Sequence, residues 1–203
     1  MVLSTCVGVL TNQRIDPDSM RQMVKEKMEK SQGGKPIPPE QLERAVEMGQ
    51  KIGAVTVWLV PVFIAVVYLI VAAIFLAAFR FFGGSEIPFK TSFATTVHAY
   101  VPGLVAALLS LPLLLSRPHI SVKEAQGGGI LASHLGAFAP ESTGPALKSL
   151  LSSLDFFALW SLVLFIVGYR LTAKVSTASA ATVAVVLWAL FVAIKVGMAG
   201  LFG

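Results

Sequence analysis

The sequence predicts an all-α, polytopic membrane bundle. It has four full transmembrane helices, an N-terminal half-span and a helical hairpin outside the membrane. Three observations predict it. Only 13% of the residues are charged, where average soluble domains carry about 25%. The apolar residues, 55% of the chain, stand in long blocks. Charges mark the ends of those blocks: Asp155 and Arg170 bracket a run without any charge. A bilayer crossing takes roughly 20 apolar helical residues, and four blocks have that length.

Residues 1–11 are apolar or small and amount to about half a span. Asn12-Gln13-Arg14 ends them. A half-span leaves backbone groups in lipid, which is costly. The natural chain is therefore expected to begin upstream of Met1, with further apolar residues completing the helix. Residues 12–52 form the polar hairpin. Asp16-Pro17 supplies a helix cap with Pro at the first position. Met20, Met23, Val24 and Met28 then share a face, and Ser31-Gln32-Gly33-Gly34 stops the helix. Pro36, Pro38 and Pro39 make the turn. Glu40 opens a second helix with a weaker stripe of Leu42, Ala45, Val46 and Met48, and it runs on into the first full span. Glu40 with Arg44, and Glu47 with Lys51, are i,i+4 pairs in the favourable order.

The four spans cover about 53–82, 93–116, 150–169 and 176–202 and form one transmembrane domain, 53–203. Pro61, Pro102 and Pro112 should kink the first two, since each removes a backbone donor. The loop 83–91 is short. The loop 117–148 contains Gly127 to Gly129, which read as a flexible linker. No Lys-Ser or Lys-Thr follows them, so they form no phosphate loop. Residues 130–138 are apolar enough to touch the bilayer surface.

Side-chain chemistry points away from catalysis. The net charge of +5 is scattered through loops, with no basic patch interleaved with aromatics, so no nucleic-acid partner is expected. Cys6 is the sole cysteine and permits neither an internal disulfide nor a cysteine metal site. His98, His119 and His134 have no metal-ligand spacing. No G-x-S-x-G occurs. Lys195 is the one ionisable residue well inside a span, and its stem reaches the interface by snorkelling. Asp155 belongs in the first turn of the third span, where the positive end of the helix dipole favours an acid. Arg170 matches it at the other end. On this view Asp155→Asn costs little and Trp160→Ala costs more. No catalytic, cofactor-binding or metal residue is assigned, and no cofactor.

The segment LDFFALWSLVLFIVGYRLTAKVSTASAATVAVVLW resembles the last two helices of the Yip-domain family, the Ypt/Rab-interacting membrane proteins. The matching features are Asp155, Trp160-Ser161 and Gly168. GGSEIPFKTSFATTVHAYVP is similar to that family's Gly-Gly loop, Phe-Lys pair and Tyr-Pro-like segment. The resemblance covers roughly 53–203. It implies a five-span bundle with a cytosolic N-terminus. Eukaryotic members are linked to Rab GTPases and vesicle traffic. No long polar region precedes the first apolar segment here, so Rab binding does not carry over. The hairpin resembles that of bacterial-type members, which implies a bacterial cytoplasmic membrane.

Two functions follow. One is a non-enzymatic scaffold or partner-binding protein in membrane organisation or trafficking. The other is a small transporter or channel subunit, suggested by the prolines and Lys195. The partners expected are the lipid bilayer and, through helix 176–202, other membrane proteins or a second copy. Ala189, Ala193 and Gly197 form a small-residue line there that allows close helix contact. Arg80, Lys90, Arg170 and Lys174 lie beside two short loops and favour a cytosolic side for them. The bases of the hairpin argue the opposite way. The resemblance places the hairpin and the C-terminus outside the cytosol.

Overall fold

The computed structural model describes residues 2–33, 36–126, 130–140 and 142–202. The helices are α1 Val2–Arg14, α2 Pro17–Ser31, α3 Pro39–Gly83, α4 Phe89–Ala99, α5 Val101–Ser116, α6 Val122–Gln126, α7 Pro145–Ser153, α8 Phe156–Thr172 and α9 Thr177–Phe202, with a 3-10 turn at Leu135–Phe138. No strand forms among the described residues, only isolated bridges at Ile15–Ile120 and His134–Asp155. The fold is all-helical.

Among the described residues three helices have the length and apolarity to cross a membrane: Pro39–Gly83, Phe89–Ser116 and Thr177–Leu201. The third of the four expected spans is not among them. That segment is not one helix over 150–169. It breaks at Leu154–Asp155, and the apolar part, α8, has 17 residues, or about 26 Å against a hydrocarbon core near 30 Å. The break has a local cause. Asp155 takes extended backbone and becomes the N-cap of α8, which ends α7. The second span also differs. It begins at Phe89 and is interrupted by a turn at Tyr100. Pro102 then sits at the second position of α5, where a missing N–H costs nothing. Pro61 and Pro112 stay inside helices.

The chain forms two compact units, Met1–Val62 with Ala107–Leu131, and Phe63–Ala106 with Ala132–Gly203. In the first unit α1 continues to Arg14 instead of stopping at Thr11. Asp16 caps α2, accepting from Ser19 N at 2.9 Å, with Pro17 at the first position. The α2 face bearing Met20, Met23, Val24 and Met28 is half-buried. Arg21 reaches Glu43 on α3 at 3.8 Å, and Val46 is buried while Met48 is exposed. The expected pairs Glu40–Arg44 and Glu47–Lys51 do not form among the described residues. Lys25–Glu29 and Lys30–Glu26 do. Met1, Gly34, Lys35 and Gly127 to Gly129 lie outside the described residues.

The segment after α5 is fastened down and is no free loop. Ile120 N donates to Arg14 O at 2.8 Å, and Asp16 N donates to Ile120 O at 2.9 Å. Arg14 Nη1 donates to Arg117 O at 2.5 Å, and Val122 N to Ser19 Oγ at 2.8 Å. Ser121 and Glu124 close a capping box at the start of α6: Ser121 N donates to Glu124 Oε2 at 2.9 Å and Glu124 N to Ser121 Oγ at 3.2 Å. The Ser121 backbone and hydroxyl bonds, helped by Arg117, lower the Glu124 pKa. A carboxyl lowered in the fold stabilises only while ionised. Its contribution is full above the ordinary glutamate range and fades as pH falls through the lower folded value. Amide exchange at Val122–Gln126, corrected for intrinsic rates, is expected to lose protection on acidification, and Glu124→Gln should abolish that dependence. The effect is small because the group is largely solvated. An unchanged pH dependence in Glu124→Gln would contradict it.

Candidate functional site

Two polar constellations stand out in the second unit. The first lies among α3, α4 and α8. Each helix turns one face inward at helical spacing: Ala72, Phe75 and Phe79; Ser92, Thr95, Thr96 and Ala99; Ser161, Phe165 and Tyr169. Tyr169 is fully buried. Its ring stacks on Phe75 at 4.7 Å and on Phe79 at 4.8 Å, and Phe75 stacks on Phe165 at 4.6 Å. Its hydroxyl lies 2.6 Å from Ser92 Oγ and 3.2 Å from both Ser92 O and Thr96 Oγ1.

The hydrogens can be assigned by counting. Ser92 Oγ has one, and donates it to Ala72 O at 2.7 Å. Tyr169 must therefore donate to Ser92 Oγ and its carbonyl, and Thr96 donates to Tyr169. Each hydroxyl is spent on a neighbour. These groups are buried, so water does not replace the bonds, and the knot ties three helices together. No carboxylate, amine or imidazole belongs to it.

Close approach makes the knot possible. A Cβ at Gly168 would lie 2.7 Å from Thr95 Cγ2, below any ordinary contact. Gly168 thus lets α8 lie against α4. On the other side of α8, α9 presents buried Ala180 and Ala184. Its line Ala189, Ala193 and Gly197 is exposed.

The second constellation is at the start of α8. Asp155 Oδ1 accepts from Phe157 N at 2.9 Å and from Ala158 N at 3.0 Å, and Oδ2 accepts from the Ser133 hydroxyl. The backbone clips on as well: Phe156 N donates to Ser133 O at 3.0 Å and Leu135 N to Leu154 O at 3.3 Å. Residues 133–135 are therefore seated on the α7–α8 junction. His134 is buried there, and neither ring nitrogen has a hydrogen-bond partner among the described residues. Gly136 packs against Ser152 and His134. Lys195 Nζ donates to Ser153 Oγ at 3.2 Å. This bond ties it to the end of α7.

Of the motif residues read in the sequence, Asp155 caps, Ser161 is buried and Gly168 spaces the helices. His98 is exposed and donates from Nδ1 to Ala94 O at 2.7 Å. Among the described residues no group of His, Cys, Asp and Glu has the proximity to hold a metal. In the first unit, a groove of about 540 Å³ lined by Val7, Thr11, Thr56, Val57 and Ala107 has no titratable side chain in its walls.

The model of the Yip1 domain matches residues 23–198, from within α2 to within α9, and takes in both constellations. The chain belongs to the Yip1 domain family. No curated protein and no solved structure matches it. The Yip1 family is not known as enzymatic. For this Yip1 protein, membership and the long apolar helices together make it a membrane protein.

Trp160 is 39% exposed, so its removal leaves no closed cavity. Asp155 has three bonds to lose. The ranking drawn from the sequence concerned Asp155→Asn, which keeps a capping oxygen; removing the cap altogether is a different case. Asp155→Ala is expected to cost about 1 to 2 kcal/mol, the scale of a lost N-cap, and more than Trp160→Ala. Thermal unfolding of both variants in one detergent checks the order.

Proposed function

We propose that this Yip1 protein is a non-enzymatic scaffold or partner-binding protein that organises membrane components, integral to a bacterial cytoplasmic membrane. Family membership carries the reading. The polar groups between helices support it, because they are hydroxyls bonded to one another and to carbonyls. Such groups hold helices and have no proton to exchange near neutral pH. The transporter reading loses support at Lys195, whose ammonium is engaged by Ser153.

Four full spans are part of this proposal. At 17 residues, α8 stands at the lower edge of the crossing range of about 17 to 25. Local bilayer thinning accommodates a short span at modest cost. In this arrangement the hairpin lies outside the cytosol.

Mild-detergent purification from native membranes, after crosslinking, should recover defined membrane partners at constant stoichiometry. Specific solute flux in liposomes that Lys195→Leu abolishes would replace the scaffold reading by the transporter one.

A further inference from the structure

Arg80 lies in the last turn of α3, Lys90 in the first turn of α4 and Arg170 in the last turn of α8. Lys174 follows two residues after α8. All four are exposed. Four bases elsewhere pair with acids, Arg21 with Glu43, Lys25 with Glu29, Lys30 with Glu26 and Arg117 with Glu124, while others such as Lys27, Arg44 and Lys51 do not among the described residues. Among the described residues no carboxylate comes within ion-pairing distance of Arg80, Lys90, Arg170 or Lys174. Glu86 shares their loop and is exposed, and it pairs with none of them.

The two turns that carry these cations are joined. Ser85 Oγ donates to Ala173 O at 3.1 Å. A Cβ at Gly83 would touch Val175 at 3.5 Å. Arg80 Nη2 donates to Ile87 O at 3.1 Å, which fixes its guanidinium on the rim. The four charges are thus gathered at one end of the unit by its own hydrogen bonds. Lys174 adds a second indication. Its φ is 55°, a left-handed conformation that favours Gly or Asn. The position carries a cation where the backbone alone would select a neutral residue.

Apolar side chains stand beside the cations. Phe81 and Phe82, 85% and 87% exposed, follow Arg80; Phe89 precedes Lys90; Leu171 follows Arg170. Exposed rings beside unpaired bases at the end of membrane helices match the layering of a bilayer surface. The rings enter the acyl boundary while the bases meet phosphates. An acidic protein segment would satisfy the charges, but it would leave Phe81 and Phe82 in water.

We propose that this end of the bundle is a binding surface for anionic phospholipid headgroups, formed by Arg80, Lys90, Arg170 and Lys174 with Phe81 and Phe82. It selects the charged lipids of one leaflet. This rests on the four-span arrangement proposed above.

The test uses the full chain in vesicles of equimolar phosphatidylglycerol and phosphatidylcholine. The protein is extracted in mild detergent and its retained lipids are counted by mass spectrometry. Phosphatidylglycerol should be retained at least about fivefold over phosphatidylcholine, the scale of one base at an anionic surface. The variant Lys90→Gln, Arg170→Gln, Lys174→Asn spares the bonded Arg80 and should lose most of that enrichment. Lys25→Gln, Lys27→Gln, Lys30→Gln on α2 should keep the enrichment. Lys174→Gly relieves the backbone and should fold at least as well, yet lower the enrichment about twofold or more, so a misfolded triple variant does not shield the proposal. Equal enrichment in wild type and the rim variants overturns it, as does an equal loss in the α2 variant. Inorganic phosphate that raises the melting temperature as much as phosphatidylglycerol would overturn it in favour of a free anion. An acidic protein retained through the same residues, without lipid enrichment, also overturns it. Release of the protein from vesicles without detergent would instead sink the span arrangement. Firm insertion without enrichment sinks only this proposal.

Discussion

Tyr169→Ala is expected to lose about 3 to 5 kcal/mol of stability, the range for deleting a large buried aromatic. Two losses combine. The ring is fully buried and stacks on Phe75 and Phe79 at 4.7 and 4.8 Å, so alanine leaves a cavity that three helices must collapse to fill. The hydroxyl joins α8 to α4 through Ser92 and Thr96. Tyr169→Phe separates the two losses. It keeps the ring and should cost about 1 to 2 kcal/mol, the upper part of what interhelical hydrogen bonds contribute in membranes. Equilibrium unfolding in detergent measures both variants. Equal losses for Ala and Phe would mean that the hydroxyls hold the helices and the stack contributes nothing.

Gly168→Ala should destabilise by about 1 to 3 kcal/mol, the range for overpacking. The sign is informative. Glycine to alanine inside a helix ordinarily gains roughly 0.5 to 1 kcal/mol. Here the new methyl meets Thr95 Cγ2 at 2.7 Å, and Thr95 cannot turn away freely because its Oγ1 donates to Thr91 O at 2.9 Å. Thr95→Ser removes the clashing methyl and keeps that bond. The double variant Gly168→Ala with Thr95→Ser should therefore recover most of the loss. A double-mutant cycle with coupling of about 1 kcal/mol or more is expected. Simple additivity would show that α4 and α8 are not pressed together at this point.

Hydropathy made the membrane class legible because it sums over whole helices, and no local detail disturbs a sum. The Asp16-Pro17 cap was legible for the opposite reason: it is satisfied within one turn, by Ser19 N. The break before α8 was missed although its signal was present. An aspartate that accepts from two N–H groups of the following turn must itself stand outside the helix, so Asp155 as a cap already implies that the segment before it ends. The spacing of Ser92, Thr95 and Thr96 was a readable polar stripe on a span. Its partner Tyr169 lies 77 residues from Ser92, and nothing local announces that distance. The same holds for Arg14 and Arg117, 103 residues apart. The hairpin ion pairs were misjudged because exposed i,i+4 geometry permits several partners, and each pair contributes only about 0.3 to 0.5 kcal/mol.

The arrangement of spans is tested most directly by cysteine labelling in intact cells. The background is Cys6→Ser, since Cys6 is exposed. Single cysteines replace Ser31 in the hairpin, Ser142 before α7, and Ser176 between α8 and α9, all exposed positions. With α8 crossing the bilayer, an impermeant maleimide should label Ser31→Cys and Ser142→Cys and leave Ser176→Cys untouched until the membrane is opened. Labelling of Ser142→Cys and Ser176→Cys from the same side would contradict the four-span bundle, whichever way the chain is oriented.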